Sequence, residues 1–295
     1  MLCVLHCALV SWSWLRIPGV LQRLGFTYFV LSLLQTFWGQ KEIPLTAVSS
    51  SDILLYWPQW LIIILLETLW LCLTFLMPVP NCPTGYLGAG GIGDNGLYPN
   101  CTGGAAGYID RWMFGDNMYR YPTCKEMYRT TQPFDPEGVL GTINSIVIGF
   151  LGMQAGKIII FYKKMNIQIL CRFLVWTVIL VLKCCCCSKV LPMVCFFRSL
   201  SYIMCMGCLS FLLLGGMFFV VDIKGWWGGQ PFIYPGMNSI FVYVGHSLLG
   251  FYFPFSWEMR FQQSHWEWLF QSLWGTALWL LIAYLLYRKK FFLKI

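Results

Sequence analysis

A histidine, an asparagine and a serine stand within one apolar stretch, in the run Gly236-Met-Asn-Ser-Ile-Phe-Val-Tyr-Val-Gly-His246. His246 is the side chain best suited to move a proton near neutral pH, because its ordinary pKa is about 6.5. Asn238 and Ser239 bring neutral donors and acceptors to the same stretch. At helical spacing Asn238, Ser239, Gly245 and His246 fall on overlapping faces and could line one cavity wall. The plain alternative is that these groups hydrogen-bond between helices and hold a bundle together. Arg16 and Arg23 flank a second motif, and a guanidinium fork suits phosphate or carboxylate. Either arginine could hold an anionic ligand or pair with Glu67 or a loop carboxylate. Asn144 and Ser145 form a further polar patch, preceded by Asp135-Pro-Glu-Gly138, whose carboxylates suit the opening turn of a helix.

These residues matter because their surroundings are so apolar. Of 295 residues, 58% are hydrophobic and 11% charged, far from the roughly 25% charged residues of a soluble domain. Apolar runs long enough to cross a bilayer recur along the chain: Val20–Trp38, Pro58–Met77, Gly138–Tyr162, Ile167–Leu182, Cys195–Val221, Pro231–Phe255 and Leu269–Tyr287. The expectation is an all-α, polytopic transmembrane bundle of about seven spans, since unpaired backbone groups are not tolerated in hydrocarbon. Residues 1–15 form an atypical apolar start, shorter than a span, without the basic flank of a signal peptide. Residues 16–295 are read as one transmembrane domain that includes a long loop, 79–137.

The net charge of +8 is scattered over short loops, so nucleic acid is not an expected partner and membrane lipid is. Lys163 and Lys164, Lys224, and Arg288, Lys289, Lys290 and Lys294 share one side if the spans alternate. The positive-inside rule makes that side cytosolic, with the C-terminus, and puts loop 79–137 on the far side. Asn100-Cys101-Thr102 in that loop is an N-glycosylation acceptor, usable only there. Of the 14 cysteines, Cys82, Cys101 and Cys124 lie in the same oxidising setting, where any two could pair.

Several templates fail. Gly88 to Gly93 resembles a phosphate-cradling loop but has no strand before it and no helix after it, so its glycines are read as turns. Cys184 to Cys187 are adjacent, and adjacent thiols do not converge on a tetrahedral ion; no metal is expected. His6 and His265 lie in settings that give them no role.

Taken together, Arg16-Ile-Pro-Gly-Val-Leu-Gln-Arg23-Leu-Gly25, Cys82-Pro-Thr-Gly-Tyr86, Tyr98-Pro-Asn-Cys-Thr-Gly-Gly-Ala-Ala-Gly-Tyr-Ile-Asp110-Arg111, Asp135-Pro-Glu-Gly138, Gly236-Met-Asn-Ser239 with His246, and Tyr287-Arg-Lys-Lys290 closely resemble the C-terminal portion of the heparan-α-glucosaminide N-acetyltransferase family. The resemblance implies a lysosomal membrane enzyme. It would move an acetyl group from cytosolic acetyl-CoA to the terminal glucosamine amine of heparan sulfate in the lumen. On that reading Arg16 and Arg23 face the phosphates of acetyl-CoA, Asn238 and Ser239 line the acetyl path, and His246 accepts a proton. The family's carrier histidine belongs to helices ahead of the Arg16 motif, and no segment here resembles it; Lys183 to Arg198 also departs from the family pattern. A transporter or channel, or a non-catalytic truncated relative, are the competing expectations. A transporter built on inverted repeats would show paired, interrupted helices, which the sequence lacks. A homo-oligomer is left open.

Overall fold

The computed structural model describes residues 15–39, 56–123, 125–163, 165–188, 200–257 and 265–293. His6, Cys124, Lys164, Lys294, the apolar start to Trp14, and 189–199 within the atypical stretch lie outside the described residues. Every described element is helical, and there is no strand among them. The chain is an all-α polytopic membrane bundle, and its described residues fall into two compact units, Met1–Gly216 and Met217–Ile295.

In the first unit, α1 (Val20–Trp38), α2 (Trp57–Leu76), α3 (Gly104–Phe114), the single turn α4 (Lys125–Tyr128), α5 (Val139–Phe161), α6 (Asn166–Ser188) and α7 (Leu200–Phe218) follow in order. The α2, α5 and α6 helices, and α7 continued to Ile223 by a π-turn, are long and apolar enough to cross a bilayer. With 19 residues, α1 has the length, but Gln22, Arg23 and Gln35 dilute its apolarity below those four. One side of it packs on α5, as does α2, while most of its apolar side chains stay exposed. Leu34, Ile63, Ile146, Val147, Phe150 and Ile203 form the shared core, with Trp60 edge-on to Phe150 at 4.8 Å. A second cluster of Trp70, Ile109 and Leu140 seats the amphipathic α3 on the ends of α2 and α5. The loop 79–137 is thus a folded cap, closed by a disulfide between Cys82 and Cys101.

The second unit holds α8 (Ile233–Met237), α9 (Ser239–Leu249) and α10 (His265–Arg288). Its α10 is the fifth helix long and apolar enough to span. Here the structure departs from the expectation of one helix over Pro231–Phe255. The run breaks at Asn238, whose backbone (φ −128°, ψ 38°) is not helical, and ends at Gly250. Pro235, just upstream, has no N–H to donate into the helical ladder. Asn238 is 1% exposed, and its carboxamide bridges the C-terminal segment: Nδ2 donates to the Phe291 carbonyl at 3.0 Å and Oδ1 accepts from the Leu293 N–H at 3.1 Å. The break is therefore occupied by a strap of the chain's own backbone.

Candidate functional site

In the cap, Asp135 is fully buried, and every direction around it is filled. Arg16 donates through Nε (3.2 Å) and Nη2 (2.7 Å) to its two oxygens, and Nη2 also reaches Glu137 at 2.7 Å. The backbone N–H groups of Tyr119 and Glu137 donate to the same carboxylate, each at 2.9 Å. The Arg16 guanidinium lies 5.1 Å from the Tyr119 ring centre. Burial alone pushes the Asp135 carboxyl up, but the Arg16 fork and the two backbone donors outweigh it and hold it below the ordinary carboxylate value. Conversely the Asp135 contact raises the Arg16 guanidinium. So Arg16, expected at a phosphate, is brought to carboxylates of the loop, the intraprotein partner weighed for it.

Asp110, in α3, accepts from the Val139 N–H at 2.9 Å and so caps the start of α5 from a distant part of the sequence. Gly138 leaves the room for it, since a Cβ there would collide with the carboxylate. Arg111 donates to the carbonyls of Pro133 (3.0 Å) and Thr102 (3.4 Å), and its burial lowers its pKa. The turns at Gly90 and Gly91 have φ of +72° and +59°, and the Tyr86 hydroxyl accepts the Gly90 N–H at 3.1 Å. These glycines make turns, as read.

Within the helices, Arg23 and Glu67 are different. The Arg23 Nε and both Glu67 oxygens are buried without a hydrogen-bond partner, so the two do not pair with each other. The Ser145 hydroxyl donates back to the Gly141 carbonyl at 3.0 Å and leaves its helix unchanged. A buried polar node that the sequence reading missed lies at the other end of this bundle. Lys157 donates to Gln59 Oε1 at 2.8 Å and sits 3.7 Å over the Tyr56 ring, while Gln59 Nε2 donates to the Leu34 carbonyl at 3.1 Å. Lys157 falls near the end of one apolar run and Gln59 near the start of another, so each alone reads as an interfacial residue. The available signal was that the two positions share a depth if successive spans alternate.

In the second unit, a cavity of about 850 Å³ lies between α9 and α10. Its walls are aromatic, with Phe251, Phe255, Trp257, Trp268 and Trp279, and the polar lining comes from His246, Ser256, Gln271, Ser272 and Thr276. Phe255 and Trp279 stack at 4.7 Å. Gly245 allows the close approach: a Cβ there would lie 2.6 Å from the Trp279 ring. His246 Nδ1 is 3.0 Å from the Tyr243 carbonyl. A carbonyl only accepts, so a hydrogen bond there has Nδ1 as its donor. Gln271 Nε2 donates to Ser256 Oγ and to the Trp257 carbonyl, each at 3.1 Å, fixing the cavity rim. Asn238 does not line this cavity, and neither does Ser239, which opens α9 in an exposed position. The described residues contain no group of three or more metal-ligating side chains.

Fold and site together define a polytopic α-helical membrane protein with a disulfide-closed cap and an aromatic, histidine-bearing cavity. Its sequence is similar to two proteins named heparan-alpha-glucosaminide N-acetyltransferase, with 53% identity to that of Mus musculus and 54% to that of Homo sapiens. Each match covers 97% of this chain and 45% of the relative, so the chain spans about half the length of the curated relatives it matches. No protein-family model matches the chain.

Proposed function

We propose that this chain takes part in acetyl transfer from acetyl-CoA to the amine of a terminal glucosamine, within the lysosomal membrane and with loop 79–137 on the luminal side. The observation that carries the reading is identity above one half across 97% of the chain with acetyltransferases named for that acceptor. The cavity supports it chemically. Acyl transfer to nitrogen breaks the thioester C–S bond, forms a C–N bond and requires the amine to lose a proton. His246, whose Nδ1 lies against the Tyr243 carbonyl, is assigned that proton at its other ring nitrogen, from which it goes to the departing thiolate. Trp257, Trp268 and Trp279 offer flat faces to a sugar ring, and Gln271 and Ser256 offer polar edges.

Arg23 is assigned to a phosphate of the donor, since its Nε is left without an acceptor. Arg16 and Asn238 are spent on Asp135 and on the C-terminal strap, so their roles are positional. Residues 16–295 are treated as one functional domain.

The test is transfer of labelled acetyl from acetyl-CoA to glucosamine in membranes carrying this chain, with a full-length relative measured alongside. Transfer that disappears in His246→Ala supports the reading. A working relative beside a silent chain would show that this chain does not catalyse the reaction by itself. A second reading, a solute pathway, draws on the break at Asn238, because interrupted helices mark transporter sites. It predicts glucosamine flux without acetyl-CoA.

A further inference from the structure

Asn100, Cys101 and Thr102 place two covalent chemistries on three consecutive residues. Asn100 is exposed, Cys101 is bonded to Cys82, and Thr102 is 1% exposed with its hydroxyl oxygen buried and unpartnered. The Asn-x-Thr requirement means that a glycosyltransferase engages the threonine as well as the asparagine. In the folded cap that hydroxyl is roofed. A Cβ built on Gly90 would lie 2.6 Å from it, and Arg111 holds the Thr102 carbonyl at 3.4 Å. Turns on either side, Cys101 N–H to the Tyr98 carbonyl (3.2 Å) and Gly104 N–H to the Cys101 carbonyl (3.0 Å), keep the segment bent. Cys82 precedes Cys101 by 19 residues, so the partner thiol is already present when Cys101 is made.

We propose that the two modifications are ordered: glycosylation of Asn100 must come before the Cys82–Cys101 bond closes, and closure forecloses it. In the first step the Asn100 amide nitrogen forms a bond to C1 of a lipid-diphosphate-linked oligosaccharide. The C1–O bond breaks, the lipid diphosphate leaves, and the amide proton passes to the transferase. In the second, the two thiols give up two protons and, to a dithiol oxidase of the compartment, two electrons. The reverse order fails because the bond pins the sequon in the bent, roofed geometry. The inference rests on the luminal placement of loop 79–137 and is independent of the acetyltransferase reading.

The full chain is synthesised into microsomes while a competing Asn-x-Thr tripeptide blocks the transferase; it is then oxidised and the tripeptide is washed out. The glycan is read as a glycosidase-sensitive gel shift. Wild type is expected to gain at least about fivefold less glycan than in synthesis without the tripeptide. The Cys82→Ser/Cys124→Ser variant, which leaves Cys101 unpaired, should recover most of it, and so should wild type kept reduced. Thr102→Ala, with the sequon destroyed, sets the background. Equal glycosylation of oxidised wild type and the variant would overturn the ordering. A variant as refractory as wild type would show that the bond is not the lock. No glycan in any arm, the tripeptide-free one included, would overturn the luminal placement, whatever the acetyl-transfer assay returns.

Discussion

Asp135 and His246 are both polar groups set among hydrophobic ones, and the two units treat them in opposite ways. The cap surrounds Asp135 with a guanidinium and two backbone donors until no lone pair faces empty space. The second unit gives His246 one backbone bond, at Nδ1, and sets the residue in the lining of a cavity. A saturated group has settled its desolvation cost within the protein and can do little else. A group with spare capacity in a chamber large enough for a ligand is where chemistry is to be sought. Polarity in an apolar setting does not separate these cases; the count of partners does.

The sharpest way to break the contrast is to remove each group in turn. His246→Ala should lower acetyl transfer by about 10²–10⁴-fold, the usual worth of a positioned proton acceptor, with little change in thermal stability. His246→Gln, which keeps a hydrogen-bonding side chain, should not rescue it. Unaltered turnover in either variant would remove His246 from the mechanism. Asp135→Ala should do the reverse, costing about 3 kcal/mol of stability by stranding two N–H donors and leaving Arg16 only Glu137. Limited proteolysis should then cut the cap first; a cap that stays resistant would mean that the cluster is not its lock.

An intermediate case is the node of Lys157 and Gln59, where the cation is paired with an amide and an aromatic ring. Gln59→Leu should cost about 2 kcal/mol by leaving the ammonium without its acceptor. The double change Gln59→Leu with Lys157→Met should recover part of that, because an apolar pair of similar volume strands nothing. A double variant worse than the single would instead show that the lysine charge is needed for something other than packing.

How much of this was legible follows from the same distinction. The helices of the first unit were readable because hydrophobic length is a local property, and Val20–Trp38 matches the expected run end for end. The break at Asn238 was not, because it depends on Phe291 and Leu293, more than 50 residues away in sequence. Likewise Arg16 could be read as a fork seeking an anion, but the choice of Asp135 over a phosphate is made by the fold of the cap. His246 stood out for its residue type alone. The aromatic walls around it, from Phe251 to Trp279, carry no motif in the sequence, because they are brought together only by the fold. Lys157 and Gln59 went unnoticed since each sits near a helix end, where polar residues call for no explanation.

The smallest expected effects sharpen the comparison at its edges. Arg23→Ala should raise the apparent KM for acetyl-CoA several-fold with kcat little changed, as loss of a uniform binding contact does. The cap should also be indifferent to mild acid. The folded Asp135 carboxyl lies below its unfolded value of 3.8, so its contribution is complete above that value and is lost only as pH falls through the lower, folded one. Thermal unfolding of the cap between about pH 7 and pH 5 should therefore show no Asp135-dependent shift, the two pH values giving equal differences between wild type and Asp135→Asn. A transfer rate that falls between the same pH values, while cap stability does not, would assign the acid sensitivity to the cavity; a parallel fall in both would erase the contrast between the two regions.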